Sequence, residues 1–270
     1  MAEDLTFDGA LQGLLEPYLP PTSLQSQPEE LPFVTLTFAT SLDSSLSLAP
    51  GVRTALSGPE SKAMTHYLRS RHAAILVGIS TLLADDPGLN CRIAGATSQP
   101  RPIVVDPNLR WTPRESDKVM QVQRSGRGLA PYVLTAVAAT DIPAGSRAIL
   151  EAHGGKFIHV NPREPMEGDG ISRRRFDWRD ILDALRTQGL HSVMVEGGGK
   201  IINSLLDPTQ HALVGSVIVT IAPTWLGQGG VVVSPRRVSD EGGHPLPAAR
   251  LRQVLWHPFG EDVVLCGKLT

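Results

Sequence analysis

The segment VMVEGGGKIINSLL (residues 193–206) states the architecture of this chain most directly. Four residues, two of them β-branched, read as a buried strand ending in Glu196. Gly197, Gly198 and Gly199 follow. A helix then begins, with Ile201, Ile202, Leu205 and Leu206 as its apolar positions. A strand that passes through glycines straight into a helix belongs to an α/β sheet. Glycines let a backbone come close to a ligand with no Cβ in the way. A helix start offers free N–H groups and the positive end of the dipole, which suits phosphate. A tight turn also needs glycine, but three in a row exceed that need, so a nucleotide phosphate site is expected. The spacing is not Gly-x-Gly-x-x-Gly, so a Rossmann fold is not implied.

Working outward, ILVGISTLLADDPGLNCR (75–92) repeats the theme. A strand runs through Gly78 into a short helix that Pro87 stops. Thr81 is placed to bind a phosphate or to cap the helix, and Asp85 and Asp86 follow. Two such turns in one parallel sheet point to a ligand at the carboxyl ends of the strands. A third stretch, ATSLDSSLSLAPGVRTALSGPE (39–60), puts Ser41, Asp43 and Arg53 in a polar loop after a strand at 33–40. At its end Ser57 and Glu60 have capping-box spacing, and Pro59 suits a first helical turn.

Strands are also expected at 73–78, 101–106, 131–136, 156–160, 192–196, 216–222, around 252–256 and at 262–269. Helices are expected near residues 11–15, after Ser57, at 80–85, after Asp177 as far as Gly189, and after the three glycines. About nine strands and four or five helices, with helical crossovers early and strand-to-strand links late, predict a mixed, mainly parallel sheet with an antiparallel edge. Residues 1–31 read as an N-terminal extension, broken by prolines, that lies on the body or on a partner subunit. Residues 32–270 read as one catalytic domain. The run Arg173-Arg174-Arg175 is expected in a solvated loop, with a phosphate contact as the alternative.

Composition excludes several classes. Of 270 residues, 41% are hydrophobic and 19% charged, too apolar a balance for disorder. A net charge of −2 gives no general attraction to nucleic acid. No apolar run is long enough for a membrane span. The acidic start MAEDLTFDGA lacks a signal pattern, so a cytoplasmic address is expected. The two cysteines, Cys91 and Cys266, form no Cys-x-x-Cys, which removes zinc ribbons, iron–sulfur centres and dithiol redox sites. A disulfide between the two stays open. The eight histidines show no metal-ligand spacing and are expected on the surface or in the core. No metal is expected, and neither a serine nucleophile elbow nor a zinc deaminase signature is present. A nucleotide site without a nucleophile suits hydride transfer, in which a cofactor carries the chemistry.

Six stretches, in order, resemble one family: PFVTLTFATSLDSSLS, MTHYLRSRHAAILVGISTLLADDPGLNCR, RPIVVD, SVMVEGGGKIINSLL, VTIAPTWLG and DVVLC. They are similar to the reductases of riboflavin biosynthesis, most of all the fungal, stand-alone 2,5-diamino-6-ribosylamino-4(3H)-pyrimidinone 5′-phosphate reductases. The likeness covers about residues 32–269. It implies a dihydrofolate-reductase-like fold, NADPH as reductant, a homodimer, and reduction of a ribosylamino to a ribitylamino chain on a small pyrimidine phosphate. By the same resemblance, Thr81, Asp85, Phe176, Gly197, Gly198, Gly199, Lys200 and Ile201 are cofactor ligands. Phe176 stands where the family usually has a smaller aliphatic residue. Arg69, Leu89, Arg92 and Glu196 resemble the substrate site, and arginines there suit a 5′-phosphate. Asp43 belongs to a Ser-Leu-Asp-Gly pattern in which Ser44 here replaces the glycine. Glu196 and Asp43 are both candidates for relaying a proton or orienting the sugar hydroxyls. A dihydrofolate reductase and a non-catalytic pyridine-nucleotide sensor are the alternatives.

Overall fold

Along Phe33–Thr40 (β1) side chains alternate between two sides, and both sides are covered. Val34 and Leu36 enter one core, while Thr35 points into the other. That pattern requires a sheet sandwiched between helical layers. The computed structural model describes residues 4–21, 30–163, 174–240, 242–246 and 248–270. In chain order the remaining elements are α1 (Gly9–Leu15), β2 (Ser45–Ser47), α2 (Pro59–Ser70), β3 (Ala74–Gly78), α3 (Ile79–Asp85), β4 (Arg101–Val105), α4 (Lys118–Arg124), β5 (Tyr132–Thr135), α5 (Ala144–Ala152), β6 (Lys156–His159), α6 (Trp178–Arg186), β7 (Ser192–Gly197), α7 (Gly199–Leu205), β8 (Ser216–Ile221), β9 (Val231–Val232), β10 (Leu251–Phe259) and β11 (Asp262–Leu269).

Among the described residues the main sheet has nine strands in the order β10-β11-β8-β1-β7-β3-β4-β5-β6. The run from β8 to β6 is parallel, and β11 and β10 close it antiparallel. This is the mixed, mainly parallel sheet expected, with the antiparallel strands at one edge. One face buries Val193 and Val195 of β7 under Ile181, Leu182 and Leu185 of α6 and Ile202 and Leu205 of α7. The opposite face carries α2 above Met194 and Ile218, and α3 and α4 above Ile75, Val77 and Val104. Asp177 caps α6 by accepting the Arg179 N–H, as its position predicts.

Several expectations need correction. The capping box is not formed: the N-cap of α2 is Gly58, whose N–H is bound by Asp262 across the sheet edge at 2.8 Å. The short helices α4 and α5 escape sequence reading because each buries only two side chains, too few for a clear period. The N-terminal extension lies on the body, the first of its two expected placements: Leu15, Tyr18 and Leu19 are buried beside α2. Cys91 and Cys266 are both free and buried, which answers the open disulfide. Arg173 lies outside the described residues, so the arginine run is described only at Arg174 and Arg175. No described helix is long and apolar enough to cross a membrane.

Candidate active site

β3 and β7 are neighbours, yet the chain leaves them in opposite directions. After β7 it turns into α7 on one face; after β3 it turns into α3 on the other. Such a divergence opens a crevice at the carboxyl ends of the strands, where open α/β sheets bind ligands. The two glycine turns read from the sequence therefore face each other. They are joined: the Gly198 N–H donates to the Thr81 hydroxyl at 3.1 Å. Thr81 thus supports the opposite turn and does not cap its own helix.

The three glycines also have local reasons. Gly197 has φ of +107°, a conformation that disfavours a side chain. A Cβ on Gly198 would sit 2.7 Å from the Thr81 oxygen, and one on Gly199 would overlap Val231 of β9. Close packing therefore accounts for much of what the sequence reading assigned to ligand approach. Gly199 is buried under the β2–β9 ribbon, while Gly198 is half-exposed and Lys200 exposed. The first intrahelical acceptor of α7 is the Gly198 carbonyl, bound by Ile201 and Ile202. The Gly199 and Lys200 N–H groups precede it and have no acceptor within the helix.

Beside this turn stands Glu196, the penultimate residue of β7. Arg69, in the last turn of α2, donates from Nε and Nη2 to its two carboxylate oxygens, both at 2.7 Å. The third donor of Arg69 goes to the Asn90 carbonyl at 3.0 Å. Burial disfavours the charge on Arg69, but the Glu196 carboxylate outweighs it and the pKa lies above its ordinary value. A two-pronged, part-buried pair of this kind fixes the carboxylate in one orientation. Arg69 is committed to Glu196 and to the Asn90 carbonyl. The half-buried Arg92 lies against His66, and among the described residues its guanidinium has no carboxylate partner.

The other expected residues fall into place differently. Asp85 closes α3, half-buried; burial raises its carboxyl pKa and the nearby Arg53 charge opposes that. Ile201 contacts Gly78 across the turn. Phe176 packs on the main core just ahead of the Asp177 cap. Leu89 has φ of +47° and a fully buried side chain, so it is a core residue at a left-handed turn. Asp43 is tied down: its carboxylate accepts the Ser41 hydroxyl and the N–H groups of Leu226 (3.1 Å) and Gly227 (2.7 Å). The Ser41 hydroxyl foremost, then these N–H groups, holds it below the usual carboxylate range. It braces the loop after β1 against the loop after β8. Ser44, in the glycine's place, adopts φ of +61°.

Sequence reading overlooked His66 and Asn90. His66 is one of eight histidines that show no metal-ligand spacing. The spacing His66-x-x-Arg69 on one helix was the available signal, because residues three apart share a face. Among the described residues no cluster suited to a metal is found.

The model of the RibD C-terminal domain matches residues 32–265. The 2,5-diamino-6-ribosylamino-4(3H)-pyrimidinone 5′-phosphate reductase of Debaryomyces hansenii is 41% identical over 266 residues, 97% of each chain. The riboflavin biosynthesis reductase Rib7 of Saccharomyces cerevisiae superposes with a TM-score of 0.72 at 33% identity, covering 96% of this chain and 99% of that one. RibD of Acinetobacter baumannii shares the fold, with a TM-score of 0.66 at 20% identity over 92% of this chain and 60% of its own.

Proposed function

The chain belongs to the RibD C-terminal domain family, and from that premise we propose that it reduces the ribosylamino group of 2,5-diamino-6-ribosylamino-4(3H)-pyrimidinone 5′-phosphate to the ribitylamino form, with NADPH as reductant. The observation that carries the reading is the crevice between β3 and β7. There the Thr81–Gly198 bridge joins the two turns at the carboxyl ends of the strands, the Arg69–Glu196 pair stands beside it, and the Arg92 guanidinium lies against His66 on the helix that carries Arg69.

The crevice suits a dinucleotide. The free N–H groups of Gly199 and Lys200, with the exposed charge of Lys200, fit a pyrophosphate. Thr81, Asp85, Gly197, Gly198, Ile201 and Phe176 stand around or behind that turn. When bound, NADPH supplies the hydride. The chain's own part is binding, orientation and the proton. Arg92 takes the 5′-phosphate of the substrate. Glu196, locked by Arg69, faces the sugar and orients its hydroxyls. The ribosyl ring opens to an imine; C1′ gains the hydride and the adjacent nitrogen gains a proton. Glu196 manages that proton; the reading favours it over Asp43 because the Asp43 carboxylate is taken up by Ser41, Leu226 and Gly227. Holding both reactants in one crevice supplies much of the acceleration in such a reaction. A homodimer is part of the same reading, and sedimentation or light scattering tests it.

The direct test follows NADPH absorbance with purified protein and substrate freshly made from GTP. Loss that requires both protein and pyrimidine is expected, with slower loss from NADH. NADPH binding without turnover on this compound or on its deaminated form would sink the reading and restore the sensor alternative. Turnover of dihydrofolate instead would point to the other reductase class.

A further inference from the structure

We propose that His66 is a positioning residue for Arg92: its neutral ring holds the guanidinium in waiting, and the substrate's phosphate takes that guanidinium over. The inference rests on the reading of Arg92 as the phosphate ligand.

His66 is buried on α2, one turn before Arg69. Arg92 approaches both of its ring nitrogens. The backbone N–H of Arg92 lies 3.2 Å from Nδ1, and the guanidinium reaches Nε2 with Nε at 3.3 Å and Nη2 at 3.1 Å. A neutral imidazole has one acceptor nitrogen, and an imidazolium has none. The backbone and the guanidinium of Arg92 therefore compete for a single lone pair. The surroundings keep the ring neutral: burial foremost, then the charges of Arg69, Arg92 and Lys62, push the pKa down to about 3, against the Asn90 carbonyl.

Two arrangements follow. With the proton on Nδ1, the ring accepts the guanidinium and the backbone N–H of Arg92 goes unanswered. With the proton on Nε2, the backbone bond forms and the guanidinium is released. A phosphate is a far better acceptor for arginine than a neutral imidazole. Its arrival favours the second arrangement, in which the backbone bond offsets the loss of the first. The hold is thus strong enough to place the guanidinium and weak enough to surrender it.

Protein labelled with nitrogen-15 in histidine, titrated with ribose 5-phosphate as probe, tests the exchange without turnover. The His66 proton is expected to move from Nδ1 to Nε2 as the probe binds. An unchanged tautomer at saturation, or no binding of the probe, overturns the proposal. Kinetics supply the second test. His66→Leu should raise KM for the pyrimidine by about tenfold or more while kcat stays within about threefold. NADPH affinity should not change. His66→Gln, which keeps an acceptor, should recover part of the loss. In an Arg92→Ala background His66→Leu should add less than about twofold, since the residue acts through Arg92. A full additional loss there, or an unaltered KM, overturns the proposal. If the leucine variant does not fold, the glutamine variant and the tautomer measurement on wild-type protein still decide it. Failure of the functional reading shows separately, as wild-type protein that consumes no NADPH with the pyrimidine.

Discussion

Glu196 gains its meaning from Arg69. The bidentate pair removes rotational freedom from a carboxylate at the end of β7, so the group is held in one orientation. Glu196→Gln keeps the size and one acceptor oxygen but removes the charge and the second prong. Turnover is expected to fall by at least about tenfold, with NADPH affinity little changed, as a general acid–base role requires. Equal loss of both in steady-state kinetics and equilibrium binding would mean Glu196 belongs to the cofactor site. Gly199 makes a separate point at this scale. Its absent Cβ leaves room for Val231, so Gly199→Ala should cost about 1–3 kcal/mol in denaturant unfolding. Adding Val231→Ala should return most of that. If it does not, the glycine serves a purpose other than packing.

At the scale of elements, the N-terminal arm is the main surprise. Leu5 pairs with Ile93: its N–H donates to the Arg92 carbonyl at 2.7 Å, and its carbonyl accepts from Ala94 at 2.9 Å. Phe7 stacks on Tyr67 of α2 at 5.1 Å, and Glu16 binds both Arg71 and the Tyr67 hydroxyl. Leu15, wholly buried, anchors the arm. Leu15→Ala should destabilise the protein by about 2–5 kcal/mol in urea or guanidinium unfolding. Deleting residues 1–21 should also raise KM for the phosphorylated substrate, because the loop carrying Arg92 loses its backbone partner, Leu5. An unchanged KM in a stable truncated protein would confine the arm to packing.

For the whole molecule, the parallel centre of the sheet is covered on both sides, and a chain of buried polar groups crosses from α2 to β8. His72, beneath α2, donates from Nδ1 to the Leu68 carbonyl at 2.7 Å and accepts the Thr35 hydroxyl on Nε2 at 2.8 Å. Ser216 of β8 extends the chain to Thr35 at 3.2 Å. Burial lowers the His72 pKa from 6.5 to about 4. The unfolded chain protonates near 6.5 and the folded chain does not, so the unfolded state binds more protons in that interval. Stability is therefore full above about pH 6.5 and falls as pH drops toward about 4, by about 3 kcal/mol at most from this group. His66 adds to the loss in the same direction and to lower pH. Unfolding curves between pH 7 and pH 4 check it; a variant with His72 replaced by Gln should show a shallower slope.

The element types were legible because strands at 33–40, 73–78 and 192–196 are short apolar runs and α6 has a full apolar stripe. Those signals arise from local period and composition, which any packing must respect. The glycine turns were legible for the same reason, as was the Asp177 cap. Much else about the site depended on distance in space. Nothing local tells Thr81 that its partner is Gly198, 117 residues away, or Arg69 that its partner is Glu196, 127 residues away. Asp43 and Glu196 are both acidic residues near strand ends; only their surroundings separate a loop brace from a poised carboxylate. Leu89 reads like any leucine until its left-handed turn buries it. By itself the sequence determined the alternation of strand and helix, the glycine turns and the residue types at the crevice. The tertiary structure decided which turns face each other, which arginine pairs with a carboxylate and which lies against a histidine. Those choices are made by long-range pairing across β1, β7 and β3, and pairing partners are not encoded in local periodicity.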